Sequence, residues 1–328
     1  MRDKIIVTGG CGFIGSGIVW ALNKKGLEDI IIVDELGENE GQKNLANLKF
    51  DELIDKRDFL ARILSNNFGS SNIDTIFHLG ACSSTTEKDL GYLIENNYNY
   101  SRDLASFALR NEIRFIYASS AATYGDGSLG FSDNEEDLFG LKPLNYYGYS
   151  KQWFDIWAKH NKVLEKMVGL KYFNVYGPNE YHKGQMRSFI IKAYEQIKER
   201  GEVRLFKSYK DEVIDGEQMR DFIYLKDAVK MSLFFFENRY LGGIYNIGTG
   251  EAHSFNQLVE AVFRALNLEP DIKYVDMPQE LKEQYQYFTQ ADTSKINSAG
   301  YSGECCDFDS AVLDYVKNYL ESKAYLSI

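Results

Sequence analysis

The stretch "KIIVTGGCGFIGSG", residues 4–17, decides the fold. Residues 4–8 are a short apolar run rich in β-branched side chains, and Gly9, Gly12 and Gly15 follow in a GxxGxxG spacing. From Phe13 the pattern becomes helical through "FIGSGIVWALNKKG". The spacing predicts strand, tight turn and helix. Glycines in such a turn let the backbone approach a pyrophosphate, and the helix N-terminus offers unpaired N–H groups and a favourable dipole. A glycine-rich turn can also serve strand–helix packing alone. Context favours the nucleotide: Asp34 closes the second apolar run about 20 residues on, where a ribose-binding carboxylate is expected.

Outward from this unit the alternation continues. Strand-like runs "DIIIVDE" (29–35), "IDTIFHLG" (73–80), "IRFIYASS" (113–120) and "MVGLKYFNV" (167–175) are separated by mostly helical patterns. Strands alternating with helices imply an α/β fold with a doubly wound parallel sheet, of the Rossmann kind. Near residue 176 the rhythm changes to a loop, a helix around 186–200 and a polar loop at 207–221, and "RDFIYLKDAVKMSLFFFENRYLGGIYNIGTG" then reads as strand, helix, strand. We expect a dinucleotide-binding domain at 1–175 with a returning segment at 222–250. A smaller C-terminal α/β substrate-binding domain would come from 176–221 and 251–328.

Composition narrows the chemistry. The 328 residues, 44% hydrophobic and 26% charged, are those of a folded chain able to bury a sizeable core. A net charge of −11 and no basic run argue against nucleic acid and anionic membranes, so an anionic ligand must be met by locally placed donors. No apolar stretch approaches a membrane span of roughly 20 residues. Cys11, Cys82, Cys305 and Cys306 show no paired metal spacing or disulfide density, which fits a reducing cytoplasm. His78, His160, His182 and His253 lack metal spacing, so no metal site is expected; His78 reads as a core histidine, and His182, beside Lys183, as solvated in preference to near substrate.

Tyr147 and Lys151 form YxxxK at the start of a helical pattern, four residues apart and therefore on one helix face. A lysine ammonium beside a phenol is expected to lower the tyrosine toward the range of a general base acting on an alcohol. Upstream, "YASSAATYG" ends a strand with Ser119 and Ser120, and a serine at a strand's carboxyl end can hydrogen-bond a reacting oxygen. Asp34 alone favours NAD, because it would repel a 2′-phosphate. Lys43 in the following loop could offset that repulsion, leaving NAD and NADP both open on sequence physics.

"TGGxGFIGS", "SSAATYG", YxxxK and "YFNVYGP" together resemble the nucleotide-sugar epimerases and dehydratases of the extended short-chain dehydrogenase/reductase family. Dehydratases of that family carry an acidic pair where this chain has Ala121 and Ala122, which disfavours elimination. "HLGACSSTTE", "ENNYNYS", "FNVYGPNEYHKGQM", "RDFIY" and "YQYFTQAD" are more narrowly similar to the ADP-L-glycero-D-manno-heptose 6-epimerases, over nearly the whole chain. The resemblance implies NADP and an ADP-sugar inverted at C6, in lipopolysaccharide core biosynthesis, by a homo-oligomer, with pentamers among the family.

By motif, the resemblance places cofactor contacts at the fingerprint residues Gly9, Gly10, Cys11, Gly12, Phe13, Ile14 and Gly15, and at Asp34, Glu35, Lys43 and Lys56. It adds Leu79, Gly80, Ala81, Cys82, Ser83, Asn96, Lys151 and Val175. Substrate contacts fall on Asn174, Gln185, Lys192, Phe206, Lys207, Ser208, Arg220 and Tyr285. Tyr147 and Lys183 become two catalytic bases, with Ser120 beside the first. The chain departs from the family pattern at Leu79, Gln185 and Lys192, and "KDEVIDGEQM" lengthens the loop before Arg220. The rival readings are a UDP-hexose 4-epimerase, which would leave Lys183 idle, and a non-catalytic NAD(P)-binding regulator.

Overall fold

β1 (Lys4–Thr8), β2 (Ile30–Asp34), β3 (Glu52–Asp55), β4 (Ile73–His78), β5 (Arg114–Ser120), β6 (Met167–Tyr172) and β7 (Gly243–Ile247) form one sheet. Their order is β7-β6-β5-β4-β1-β2-β3, and every neighbouring pair is parallel. The computed structural model describes residues 4–37, 40–65, 67–69, 72–282 and 285–328. Residues 1–3 of the expected first domain and Asn39 of the loop before Lys43 lie outside the described residues.

Parallel strands need crossovers, and helices supply them on both faces. Side chains alternate along each strand, so Ile5 and Val7 of β1 enter one core and Ile6 the other. The first core packs α1 (Phe13–Lys24) and α6 (Leu225–Glu237). The second packs α2 (Lys56–Leu64), α3 (Tyr100–Arg110) and α4 (Tyr146–His160). Strand order reverses between β1 and β4, and a crevice opens at their carboxyl ends, where doubly wound sheets take ligands.

A third core lies outside the sheet. It joins α5 (Phe189–Arg200), α7 (Phe255–Leu266) and α8 (Phe308–Asp314) to a parallel strand pair at residues 203–206 and 272–275. Ser254 and Gln257 cap α7 reciprocally, satisfying donors at its first turn.

Two expectations need correction, and one strand was not foreseen. The run at 167–175 is not one strand, because β6 stops at Tyr172. The Phe173 N–H bonds Ile247 and the Asn174 N–H bonds Asp221, so residues 174–176 leave the sheet and pair with 222–224. The departure aims the following loop at the crevice. β3 escaped notice because "ELID" is short and polar, its stability coming from the edge register against β2. The helix expected around 186–200 begins only at Phe189, after a turn in which Gly184 takes a positive φ.

Candidate active site

The glycine turn is held by close contact. A Cβ on Gly15 would lie 2.0 Å from the Gly9 carbonyl oxygen, and one on Gly9, whose φ is +69°, would lie 2.6 Å from the Gly80 nitrogen. α1 therefore starts tight against both β1 and the β4 loop. It has no side-chain cap and no acidic residue in its first turn, so its N–H groups and positive dipole end face the crevice. These are the features a dinucleotide pyrophosphate requires. Asp34, at the end of β2, accepts from the Cys11 and Glu35 N–H groups, each at 2.8 Å. Burial lifts its carboxyl, and these donors pull it back.

A cavity of about 360 Å³ is lined by the turn (Gly9, Cys11, Gly12, Phe13, Ile14, Gly15), Asp34, Leu79, Gly80, Ala81, Ser83, Ser120, Tyr147, Lys151, Val175 and Lys183. Glu35, Lys56, Cys82 and Asn96 line an adjoining cavity that shares Gly9, Asp34, Gly80 and Ala81. Lys56 bridges the Glu35 carboxylate at 2.8 Å and the Asn96 side-chain oxygen at 3.0 Å. Gly10 packs on Ile32 behind the turn. Lys43 lines neither cavity; its ammonium is exposed, 3.3 Å from Glu40.

α4 begins at Tyr146 because Asn145 caps it, its side chain accepting from the Gly148 N–H at 2.8 Å. That start sets Tyr147 and Lys151 on one face toward the sheet. Burial raises Tyr147 above the ordinary phenol range, and a hydrogen bond from the Ser120 side chain opposes this. The expected lowering by Lys151 does not occur. The Lys151 ammonium instead donates to the Ala118 carbonyl at 3.0 Å, and burial brings it down to about 8 against an opposing pull from Asp155.

Asp155 is a residue that sequence reasoning missed. It is fully buried one turn after Lys151, accepting from Ser119 at 2.6 Å and Tyr117 at 2.9 Å. Lys171 of β6 is also buried, and desolvation brings it down to about 8 while Asp155 opposes this. The signal was available: Tyr147, Lys151 and Asp155 recur every four residues on one helix face. His182, read as solvated, also lines the cleft, with Nδ1 3.3 Å from Asn44. His78 is the core histidine expected, bonded to Thr8 and Ser101 and pushed down by burial to about 3.

Lys183 reaches the cleft from the loop after residues 174–176, its ammonium 4.9 Å from the centroid of the Phe13 ring. Burial lowers it, Glu180 raises it and Lys192 lowers it. Tyr147 and Lys183 thus stand in one cavity, brought there by separate elements.

The residues expected to contact substrate stand apart from that lining. Lys192 donates to the Gln185 carbonyl at 2.6 Å, Lys207 pairs with Asp276 at 3.2 Å and the Ser208 N–H bonds Asp215. Asn174 is exposed, and Phe206 ends the strand at 203–206. Arg220 is buried, donating to the Met219 and Gln286 carbonyls, with Tyr285 and Phe255 flanking its guanidinium at 5.4 and 5.8 Å. Among the described residues no cluster of His, Cys, Asp and Glu could hold a metal, and no helix is long and apolar enough to cross a membrane.

Comparison with known proteins places this geometry. Residues 5–248 match the model of the NAD dependent epimerase/dehydratase family. The ADP-L-glycero-D-manno-heptose-6-epimerase of Nitratidesulfovibrio vulgaris is 50% identical over 315 residues, which cover 96% of this chain and 97% of that protein. The crystal structure of the Helicobacter pylori ADP-L-glycero-D-manno-heptose-6-epimerase is similar with a TM-score of 0.79 at 26% identity, covering 97% of this chain and 96% of that one. The UDP-N-acetylglucosamine 4-epimerase of Methanobrevibacter ruminantium is as similar in fold, with a TM-score of 0.81 at 28% identity, covering 98% and 100%. Neither shape nor identity separates these two structures, whereas the 50% identity over nearly the whole chain is to a heptose epimerase. The chain belongs to the NAD dependent epimerase/dehydratase family and, within it, to the ADP-L-glycero-D-manno-heptose-6-epimerases.

Proposed function

We propose that the protein inverts C6 of ADP-glycero-manno-heptose through a transient ketone, with NADP as its nicotinamide cofactor. The observation that carries this reading is the presence of Tyr147 and Lys183 in one cavity, approaching from α4 and from the loop after residues 174–176. A nicotinamide held here would supply reversible hydride acceptance at the secondary alcohol carbon. Because the hydride has a fixed origin, inversion requires the ketone to present its other face. Its oxygen then occupies a second place, where a second group must handle the proton.

Tyr147 and Ser120 serve the first place and Lys183 the second. Burial moves the two groups in opposite directions, the phenol up and the ammonium down, which suits the first to donate a proton and the second to accept one. In the reverse direction the roles exchange. Lys151 is assigned to the nicotinamide ribose, and the α1 N-terminus to the pyrophosphate.

NADP over NAD rests on charge near the end of β2. Both oxygens of Asp34 already accept backbone N–H groups, and Lys56 and Arg57 stand beside Glu35. Arg220 would offer its remaining N–H donors to the substrate diphosphate. We assign residues 176–221 and 251–328 to the substrate side of the cleft.

Purified protein given ADP-heptose and UDP-galactose separately, followed by NMR, tests the reading. Turnover of the heptose alone is expected, with no deuterium at C6 when the reaction runs in deuterated water. Deuterium there would indicate a carbanion route, and turnover of the galactose would restore the 4-epimerase. Mass analysis of released cofactor should find mainly NADP; mostly NAD would overturn that part.

A further inference from the structure

We propose that Glu180 is a positioning residue for Lys183, fastening the loop that carries the lysine so that its ammonium stays in the cavity shared with Tyr147. The inference rests on the reading of Lys183 as the second proton-handling group.

Glu180 has 0% of its surface exposed. Its Oε1 accepts from the Ser188 hydroxyl at 2.6 Å, the Tyr315 hydroxyl at 3.0 Å and the Gly177 N–H at 3.3 Å, and its Oε2 accepts from the Ser188 N–H. Gly177 and Ser188 are the two ends of the loop between residues 174–176 and α5, so one carboxylate draws both ends together. Tyr315 adds a tie to the C-terminal helical segment. The Glu180 carbonyl in turn accepts the Lys183 N–H at 3.1 Å.

Asn179, with a φ of +75°, fixes the same loop on its other side. Its amide donates to Ser16 of α1 at 3.0 Å and accepts from the Leu326 N–H at 2.9 Å. A carboxylate buried without donors is strongly unfavourable, and here four donors offset that cost. An acid–base group misplaced by about 1 Å can lose on the order of a hundredfold in rate, which is why a loop-borne lysine needs such a mount.

A purely structural knot would not act on the lysine's proton, whereas Glu180 also faces Lys183 electrostatically. It raises the ammonium against burial and against Lys192 of α5. His182 shares the loop, and across the cavity stand Tyr147, Lys151, Tyr172, Asp34 and Cys11. Among the groups that act on Lys183 most, Glu180 is the carboxylate.

The test uses the full chain with its bound cofactor and two readouts: the kcat pH profile, and the pH dependence of Lys183 acylation followed by mass spectrometry. Glu180→Gln should move Lys183 acylation to lower pH and cut kcat by roughly tenfold or more, with KM little changed. Glu180→Asp, which keeps the charge and shortens the reach, should restore the acylation profile while kcat stays low. Lys192→Met should move acylation to higher pH. Wild-type acylation and kcat in Glu180→Gln would overturn the proposal. If Glu180→Gln does not fold, wild-type kcat in Glu180→Asp would overturn it equally. Full activity of Lys183→Met together with a shifted acylation profile in Glu180→Gln would instead refute the role given to Lys183 and leave the fastening standing.

Discussion

The two ends of the cleft are built differently. Tyr147 stands on a fifteen-residue helix whose inner face packs on the sheet, so a single asparagine cap and the helical repeat fix its direction. Lys183 stands on a loop whose Glu180 and Asn179 are held by Tyr315 and Leu326, partners drawn from distant parts of the chain. The first end is local and repetitive, and the second is nonlocal and singular. Chemistry that needs only one acid–base group can live on the helix. Chemistry that needs two on separate faces of a substrate has to reach across, and in the proposed reaction the tethered loop provides that reach.

The largest expected effects test whether both ends work. Tyr147→Phe and Lys183→Met should each reduce epimerisation by at least roughly a hundredfold, the scale of a lost general acid or base, with cofactor retained. Conversion of ADP-heptose measured by NMR, alongside cofactor absorbance, checks both variants. Equal losses would make the ends partners, and an intact Lys183→Met would reduce the cleft to its helical end.

Next in size is the shared floor. Gly15→Ala places a methyl 2.0 Å from the Gly9 carbonyl oxygen, within backbone that cannot yield easily. Purified protein should carry less than about a tenth of the wild-type cofactor, read by mass analysis, corresponding to a loss above about 1.4 kcal/mol. Full occupancy would show that the α1 turn is not the pyrophosphate seat.

A moderate effect concerns pH at the helical end. Lys151 and Lys171 are both brought down by burial to about 8, so between that pH and the ordinary lysine range near 10.5 the unfolded chain binds more protons than the folded one. Stability contributed by these groups therefore rises with pH through that window and is least below it. Urea midpoints should increase from pH 8 upward until tyrosine ionisation in the unfolded chain reverses the trend near 10. Lys171→Met should flatten the rise, and an unchanged slope would contradict the buried-lysine account.

The smallest effect belongs to the exposed rim. Lys43 is solvated and pairs with Glu40 at 3.3 Å, so Lys43→Ala should weaken NADP relative to NAD by a few-fold, on the scale of about 1 kcal/mol for an exposed charge pair. Competition binding of the two dinucleotides measures this, and an unchanged ratio would assign phosphate recognition to Lys56 and Arg57 instead.

Much of this molecule is legible without coordinates. The glycine spacing, the apolar runs and the YxxxK repeat are set by local rules: φ freedom, side-chain alternation and helical period. They determined the parallel sheet, the dinucleotide turn and the position of Tyr147. What they could not reach is whatever depends on contacts between remote residues. The break at Phe173, which turns the chain off the sheet, depends on carbonyls of Ile247 and Asp221 that no local pattern announces. The raised Tyr147 depends on burial, which outweighs the neighbouring charge that sequence spacing suggested. The burial of Asp155 depends on Tyr117 and Ser119 of β5, more than thirty residues away, which bond its carboxylate. Lys183 is marked only by the family resemblance, and its place in the cleft lies on a loop whose two ends bond the Glu180 carboxylate, which no local pattern announces because a loop has no intrinsic direction until its ends are bonded.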